Sequence, residues 1–134
     1  MILGVDPGTR RVGIAIADLE TRFARPLEVI DLSEKSATTR IAELVDEHGV
    51  TRVVVGLPVG LSGKEGPAVE VTRALVEDLR GALSVEVVEH DERLTTVIAE
   101  QGMRSAGTGS SARAGIRDSV AAQVMLQGYL DSDR

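Results

Sequence analysis

Met1–Ala17 reads MILGVDPGTRRVGIAIA: an apolar run from Met1 to Val5, an acid at Asp6, the turn residues Pro7-Gly8-Thr9-Arg10-Arg11, and a second apolar run from Val12 to Ala17. Proline and glycine between two short apolar runs supply turn geometry, so the stretch predicts a β-hairpin. Pro26–Leu32 predicts a third strand. From about Lys35 to His48, Ala37, Ile41, Leu44 and Val45 fall on one face of a helix. Arg52–Val55, with three consecutive valines, has the composition of a strand buried on both faces. A Gly-rich loop covers Gly56 to Gly66, and Pro67 suits the first position of a helix whose buried stripe is expected at Ala68, Val71, Leu75 and Leu79. Val85–Val88 predicts a fifth strand and Leu94 to about Met103 a helix. Ser105–Gly115 reads as a Gly/Ser/Ala loop, and Ile116–Leu130 as the last helix. The order β-β-β-α-β-α-β-α-α predicts an α/β chain, an antiparallel meander followed by alternating elements, with a mixed five-stranded sheet flanked by helices.

The 134 residues predict a single domain over 1–134, and 43% hydrophobic content supplies a core. The absence of cysteine excludes disulfides, thiol nucleophiles and thiolate metal sites. No stretch approaches the roughly 18 apolar residues of a membrane span. An acid at Asp6 argues against a signal peptide, so the expected location is the cytoplasm, with no membrane partner. The net charge of −6 argues mildly against generic nucleic-acid binding, which prefers a basic footprint. The distribution is uneven, however. Residues 93–117 hold Arg93, Arg104, Arg113 and Arg117 against Glu100 alone, whereas residues 18–51 are acidic. Phe23 and Tyr129 are the only aromatic residues, so a nucleic-acid binder of this composition grips backbone rather than stacking on bases. With only His48 and His90, a multi-histidine zinc site is implausible.

Three acids stand out by position. Asp6 ends an otherwise apolar strand, where an ionised carboxylate calls for a cation; an Asp that simply opens a turn is an equally good reading of this residue alone. The pattern Asp6-x-Gly8-Thr9-x-x-x-Gly13 adds two glycines that permit close approach of a ligand to the backbone. Glu92 follows the fifth strand within His90-Asp91-Glu92-Arg93, at the carboxyl end of the sheet where sites are built in open α/β folds; a solvated charge cluster is the plainer alternative. Asp118 shares a helix face with Ala121, Ala122 and Met125, so it points inward, although a first-turn Asp favoured by the helix dipole explains it when taken singly. Together the three change the balance. Like charges from three elements need a cation between them, and hard carboxylate oxygens suit Mg²⁺ or Mn²⁺. One or two such ions activate water and stabilise the leaving oxygen of a phosphodiester.

On these residues the chain resembles the YqgF/RuvX family of RNase H-like nucleases, related to the RuvC Holliday-junction resolvases. The resemblance runs through Gly4-Val5-Asp6-Pro7-Gly8-Thr9-Arg10-Arg11-Val12-Gly13, Ala24-Arg25-Pro26-Leu27, Val55-Gly56-Leu57-Pro58, Gly63-x-Glu65, His90-Asp91-Glu92-Arg93-Leu94-Thr95-Thr96, Asp118-Ser119-Val120-Ala121-Ala122 and Leu126-Gln127-Gly128-Tyr129-Leu130. It departs at Gly60-Leu61-Ser62-Gly63, where many relatives place an Asn or Asp. The resemblance implies an RNase H-like fold and a nuclease that processes the 5′ end of pre-16S rRNA in ribosome biogenesis, acting on RNA free or within a pre-ribosomal particle. It implies catalytic and metal-holding roles for Asp6, Glu92 and Asp118. Arg10, Arg11, Lys64, Arg93, Arg113 and Arg117 are the candidate nucleic-acid-binding residues. Branched DNA, cut by a junction resolvase that would need a symmetric dimer, is the alternative substrate, and a non-catalytic ribosome-maturation factor is the alternative class. The Asp6-x-Gly8-Thr9 stretch also resembles the phosphate hairpin of the actin and sugar-kinase superfamily, but that fold encloses nucleotide between two such domains. Oligomeric state is not legible in one sequence.

Overall fold

In this computed structural model, which describes residues 1–57, 67–91 and 110–132, β1 (Ile2–Pro7) and β2 (Arg11–Ala17) form the expected hairpin. They pair antiparallel, with Asp6 opposite Gly13 and Pro7 opposite Val12. The turn between them needs glycine at position 8, because a Cβ there would lie 2.5 Å from the Arg11 carbonyl oxygen. β3 (Ala24–Asp31) pairs antiparallel with β2 at the edge of the sheet, the position in which Pro26 is tolerated within a strand. The register shifts opposite Ile14 and Ala15, which face Glu28 and Pro26 and leave Leu27 as the extra residue.

α1 (Ala37–His48) starts at the N-cap Ser36, whose side chain accepts from the Thr39 N–H, and ends at Gly49 in the left-handed conformation (φ 61°). β4 (Arg52–Leu57) and β5 (Glu86–Asp91) add in parallel on the other side of β1, giving the order β3-β2-β1-β4-β5. α2 (Pro67–Ala82) joins those two strands, and α3 (Ser110–Ser132) closes the described chain. The mixed five-stranded sheet thus has the predicted pairing. The helix expected over Leu94–Met103, and the Gly-rich loop beyond Leu57, lie outside the described residues.

Strand alternation separates two cores. Leu3, Val5, Val12, Ile14, Ile16, Val53, Val55 and Val87 face α1 and α2, where they meet Ile41, Leu44, Val76 and Leu79. Ile2, Ala15, Ala17 and Val54 face α3, where they meet Ala122, Met125, Leu126 and Leu130. The α3 side of β1 and β2 is made of small residues, so this helix lies close. A Cβ on Gly4 would stand 2.9 Å from the Leu126 Cβ, and one on Gly13 would stand 2.0 Å from the Asp118 carbonyl oxygen. Gln123 and Gln127 fasten α3 to the start of β3: the Ala24 N–H donates to Gln127 Oε1 at 2.8 Å, and Gln123 Nε2 donates to the Ala24 carbonyl at 3.1 Å.

Two expectations need correction. The buried stripe of α2 is Val69, Thr72, Val76 and Leu79, while Val71 is 62% exposed. Both sets keep helical spacing to Leu79, and the sheet selects the one containing Val76. The last helix begins at Ser110 rather than Ile116, so residues 110–115 of the expected loop are helical. Ala112 and Ala114 favour that extension, and the interior Gly115 costs only about 1 kcal/mol. Among the described residues, no helix is long and apolar enough to cross a membrane.

Candidate active site

β1, β4 and β5 run parallel, so their carboxyl ends share one edge of the sheet. Asp6 is the penultimate residue of β1 and is half-buried. Being two residues from Gly4 it lies on the α3 face, opposite Gly13 of β2. Directly opposed residues of an antiparallel pair hold their Cβ positions roughly 5 Å apart. The Cβ position of Gly13 is 2.6 Å from the Asp118 carbonyl carbon and 3.4 Å from its Cα. Gly13 therefore brings Asp6 and Asp118 together: it faces the first across the hairpin and lets the backbone of the second rest upon it. The glycine that the sequence suggested for ligand approach serves helix approach instead.

Asp118 is held in place by one of the candidate nucleic-acid-binding arginines. Arg11 Nε donates to Asp118 Oδ2 at 2.7 Å, with the two side chains 41% and 24% exposed. This is a charge-assisted hydrogen bond between residues 107 apart in sequence. Arg11 and Gly13 differ by two along β2 and so share the α3 face, a signal that gives the face of Arg11 but not the helix residue it meets. Arg10, next in the turn, is exposed, and its side chain makes no hydrogen bond or ion pair among the described residues.

His90 sits opposite Gly56 on β5, its ring edge-on to Tyr129 with centroids 5.7 Å apart and planes at 86°. The Tyr129 hydroxyl accepts from Arg52 Nη1 at 2.8 Å. That places His90 in the packing of α3 on β5. Glu92, next after the last residue of β5, lies outside the described residues, as do Lys64, Arg93 and Arg104. Arg113 and Arg117 fall within α3, with their side chains outside the described set. Among the described residues no three acids or histidines gather as a metal set. The two acids that the structure does bring to one edge, Asp6 and Asp118, offer hard oxygen donors of the kind that suit Mg²⁺ or Mn²⁺.

A hairpin acid and a helix acid thus meet at Gly13, at the carboxyl edge of a β3-β2-β1-β4-β5 sheet. The family described as RuvX, Holliday junction resolvase, matches residues 1–132. The chain belongs to the RuvX family. Among its relatives, a Chloroflexus aurantiacus protein named "Putative pre-16S rRNA nuclease" is 44% identical over 135 residues, covering 100% of this chain and 88% of the relative. The protein of the same name from Bacillus cytotoxicus is 42% identical over 134 residues, covering 98% of each. The fold is also that of solved resolvases. Thermus thermophilus RuvC in complex with Holliday junction substrate aligns with a TM-score of 0.57 at 16% identity, over 98% of this chain and 93% of that one. The fowlpox virus resolvase with substrate Holliday junction DNA aligns with a TM-score of 0.59 at 12% identity, over 98% and 97%. In this RuvX chain, then, the central strand and the last helix of a resolvase-type fold carry Asp6 and Asp118.

Proposed function

We propose that this RuvX chain is a divalent-metal-dependent nuclease of the cytoplasm that trims the 5′ end of pre-16S rRNA, with Asp6, Glu92 and Asp118 as its metal-holding, catalytic acids. The observation that carries this reading is the meeting of Asp6 and Asp118 over Gly13 at the carboxyl edge of the sheet. When bound, Mg²⁺ or Mn²⁺ at these acids supplies an activated water and stabilises the leaving oxygen. The chain itself supplies the donor oxygens and orients them. Asp6 is fixed by the hairpin register, and Asp118 by its helix and by Arg11. Arg10, with Lys64, Arg93, Arg113 and Arg117, grips the phosphate backbone through charge-assisted hydrogen bonds. RNA as substrate rests on the names of relatives at 44% and 42% identity; branched DNA rests on the family's description.

Incubating the protein with Mn²⁺ or Mg²⁺ and either a pre-16S transcript bearing its 5′ leader or a four-way DNA junction separates the two substrates. The expected result is metal-dependent shortening of the transcript with the junction left whole. Cleavage of the junction alone would transfer the assignment to DNA, and cleavage of neither would favour a non-catalytic role in ribosome maturation.

A further inference from the structure

A groove of about 560 Å³ opens beside the candidate site, lined by Thr9, Arg10, Arg11, Asp31, Leu32 and Ser33. It forms where the turn after β1 meets the chain leaving β3. The Leu32 N–H donates to the Arg10 carbonyl at 3.0 Å, and Arg11 stands opposite Asp31 in the strand register. The lining is rich in donors. Arg10 is exposed and its guanidinium is uncommitted among the described residues. Arg11 spends its Nε on Asp118; the remaining donors of its guanidinium fork, which carries five in all, make no hydrogen bond among the described residues. The hydroxyls of Thr9 and Ser33 complete the set.

The one acid among the described residues of the wall, Asp31, is occupied. Its Oδ1 accepts from the Ser33 hydroxyl at 2.7 Å and the Ser33 N–H at 3.0 Å. Those hydrogen bonds, with a smaller contribution from the Arg11 charge, hold its carboxyl below the usual range, so it is ionised at neutral pH and braces the far side of the groove. No aromatic ring lines the cavity, so a base finds no stacking surface there. With Arg11 paired to Asp118 through Nε and Asp31 hydrogen-bonded to Ser33, the Arg10 guanidinium and the terminal nitrogens of Arg11 remain as donors, and such donors fit phosphate oxygens.

We infer that this groove is a phosphate subsite, holding a backbone phosphate of the nucleic-acid strand next to the one at Asp6 and Asp118. Arg10 is its principal donor. Arg11 spans the two positions, with Nε on Asp118 and its terminal nitrogens on the phosphate, so that the strand is registered against the acid that works on it. The identity of the strand rests on the nuclease reading; the binding of a phosphate does not.

The test is binding without cleavage: affinity for a fluorescein-labelled pre-16S leader RNA in metal-free buffer, between about 50 and 200 mM salt. Arg10→Ala should weaken binding by about three- to tenfold and lower the slope of log affinity against log salt by about 0.7, one phosphate contact on a single strand. Asp31→Asn keeps the acceptor for Ser33 and removes the opposing charge, so it should tighten binding. Arg73→Ala removes the same charge from α2, on the opposite face of the sheet, and should stay within about twofold of wild type. Arg10→Ala binding that matches either wild type or Arg73→Ala would overturn the subsite, as would no measurable binding by wild type. Failure of the wild type to cleave any substrate, with these binding shifts intact, would remove the nuclease reading and leave the subsite standing.

Discussion

A methyl group at Gly13 would lie 2.0 Å from the backbone oxygen of Asp118, well inside van der Waals contact. Backbone has no rotamer by which to yield, so Gly13→Ala must push α3 off β2. Overpacking of this kind typically costs about 1–3 kcal/mol, and here it also separates Asp6 from Asp118. Gly13→Ala is therefore expected to lower the urea midpoint and to reduce cleavage together. Gly4→Ala meets the Leu126 Cβ instead, at 2.9 Å; that atom moves only with its backbone, so this change also displaces α3, but it should cost less because the overlap is smaller. Equal stability of Gly13→Ala and wild type would contradict the close approach of this helix. The sequence motif singled out Asp6, Gly8 and Gly13 as a group, but not what the glycines admit. Gly8 closes a turn and Gly13 receives a helix. The Arg11–Asp118 pair was hidden for a different reason, since it depends on where a helix 107 residues later comes to rest.

At the scale of elements, α1 is tied to the edge strand β3 by one arginine. Arg40 donates through Nε to Glu28 Oε2 and through Nη2 to Glu28 Oε1, both at 2.8 Å, a two-pronged contact between guanidinium and carboxylate. Arg40 also reaches Glu43 at 3.1 Å and Glu47 at 3.3 Å. The hydrogen bond from Arg40 holds the Glu28 carboxyl below its ordinary value of 4.5, against the opposing effect of partial burial. A carboxyl depressed on folding binds fewer protons in the folded chain than in the unfolded one. Its stabilisation is thus complete above about pH 4.5 and is lost as the pH falls through the lower folded-state value. Arg40→Met should flatten the fall in stability below that pH, measured by urea unfolding at a series of pH values. An unchanged slope would show that the pair adds nothing. The stripe of α1, Ala37, Ile41, Leu44 and Val45, is buried as its spacing predicted, because only one apolar face exists there. On α2 two apolar rows meet at Leu79, and spacing alone could not choose between Val71 and Val76. The parallel pairing of β1, β4 and β5 was readable from the alternating order, as was the valine run of β4, buried on both faces.

For the whole molecule, a chain of net charge −6 brings two acids to one edge, where Arg11 pairs with Asp118. An ion that binds only the folded state stabilises it by about 2.7 kcal/mol at a hundredfold excess over its Kd. Mn²⁺ is therefore expected to raise the melting temperature by several degrees, and Asp6→Asn to lose that rise. In metal-free buffer the variant should melt at or above the wild-type temperature, since the amide relieves like-charge repulsion. Asp6 is the acid proposed to act on the phosphodiester. The most direct measurement is Mn²⁺-dependent processing of the pre-16S 5′ leader by wild type and by Asp6→Asn, each shown by its melting curve to be folded. Shortening of the leader by wild type alone is the predicted result. Processing by Asp6→Asn at the wild-type rate would remove Asp6 from the catalytic set.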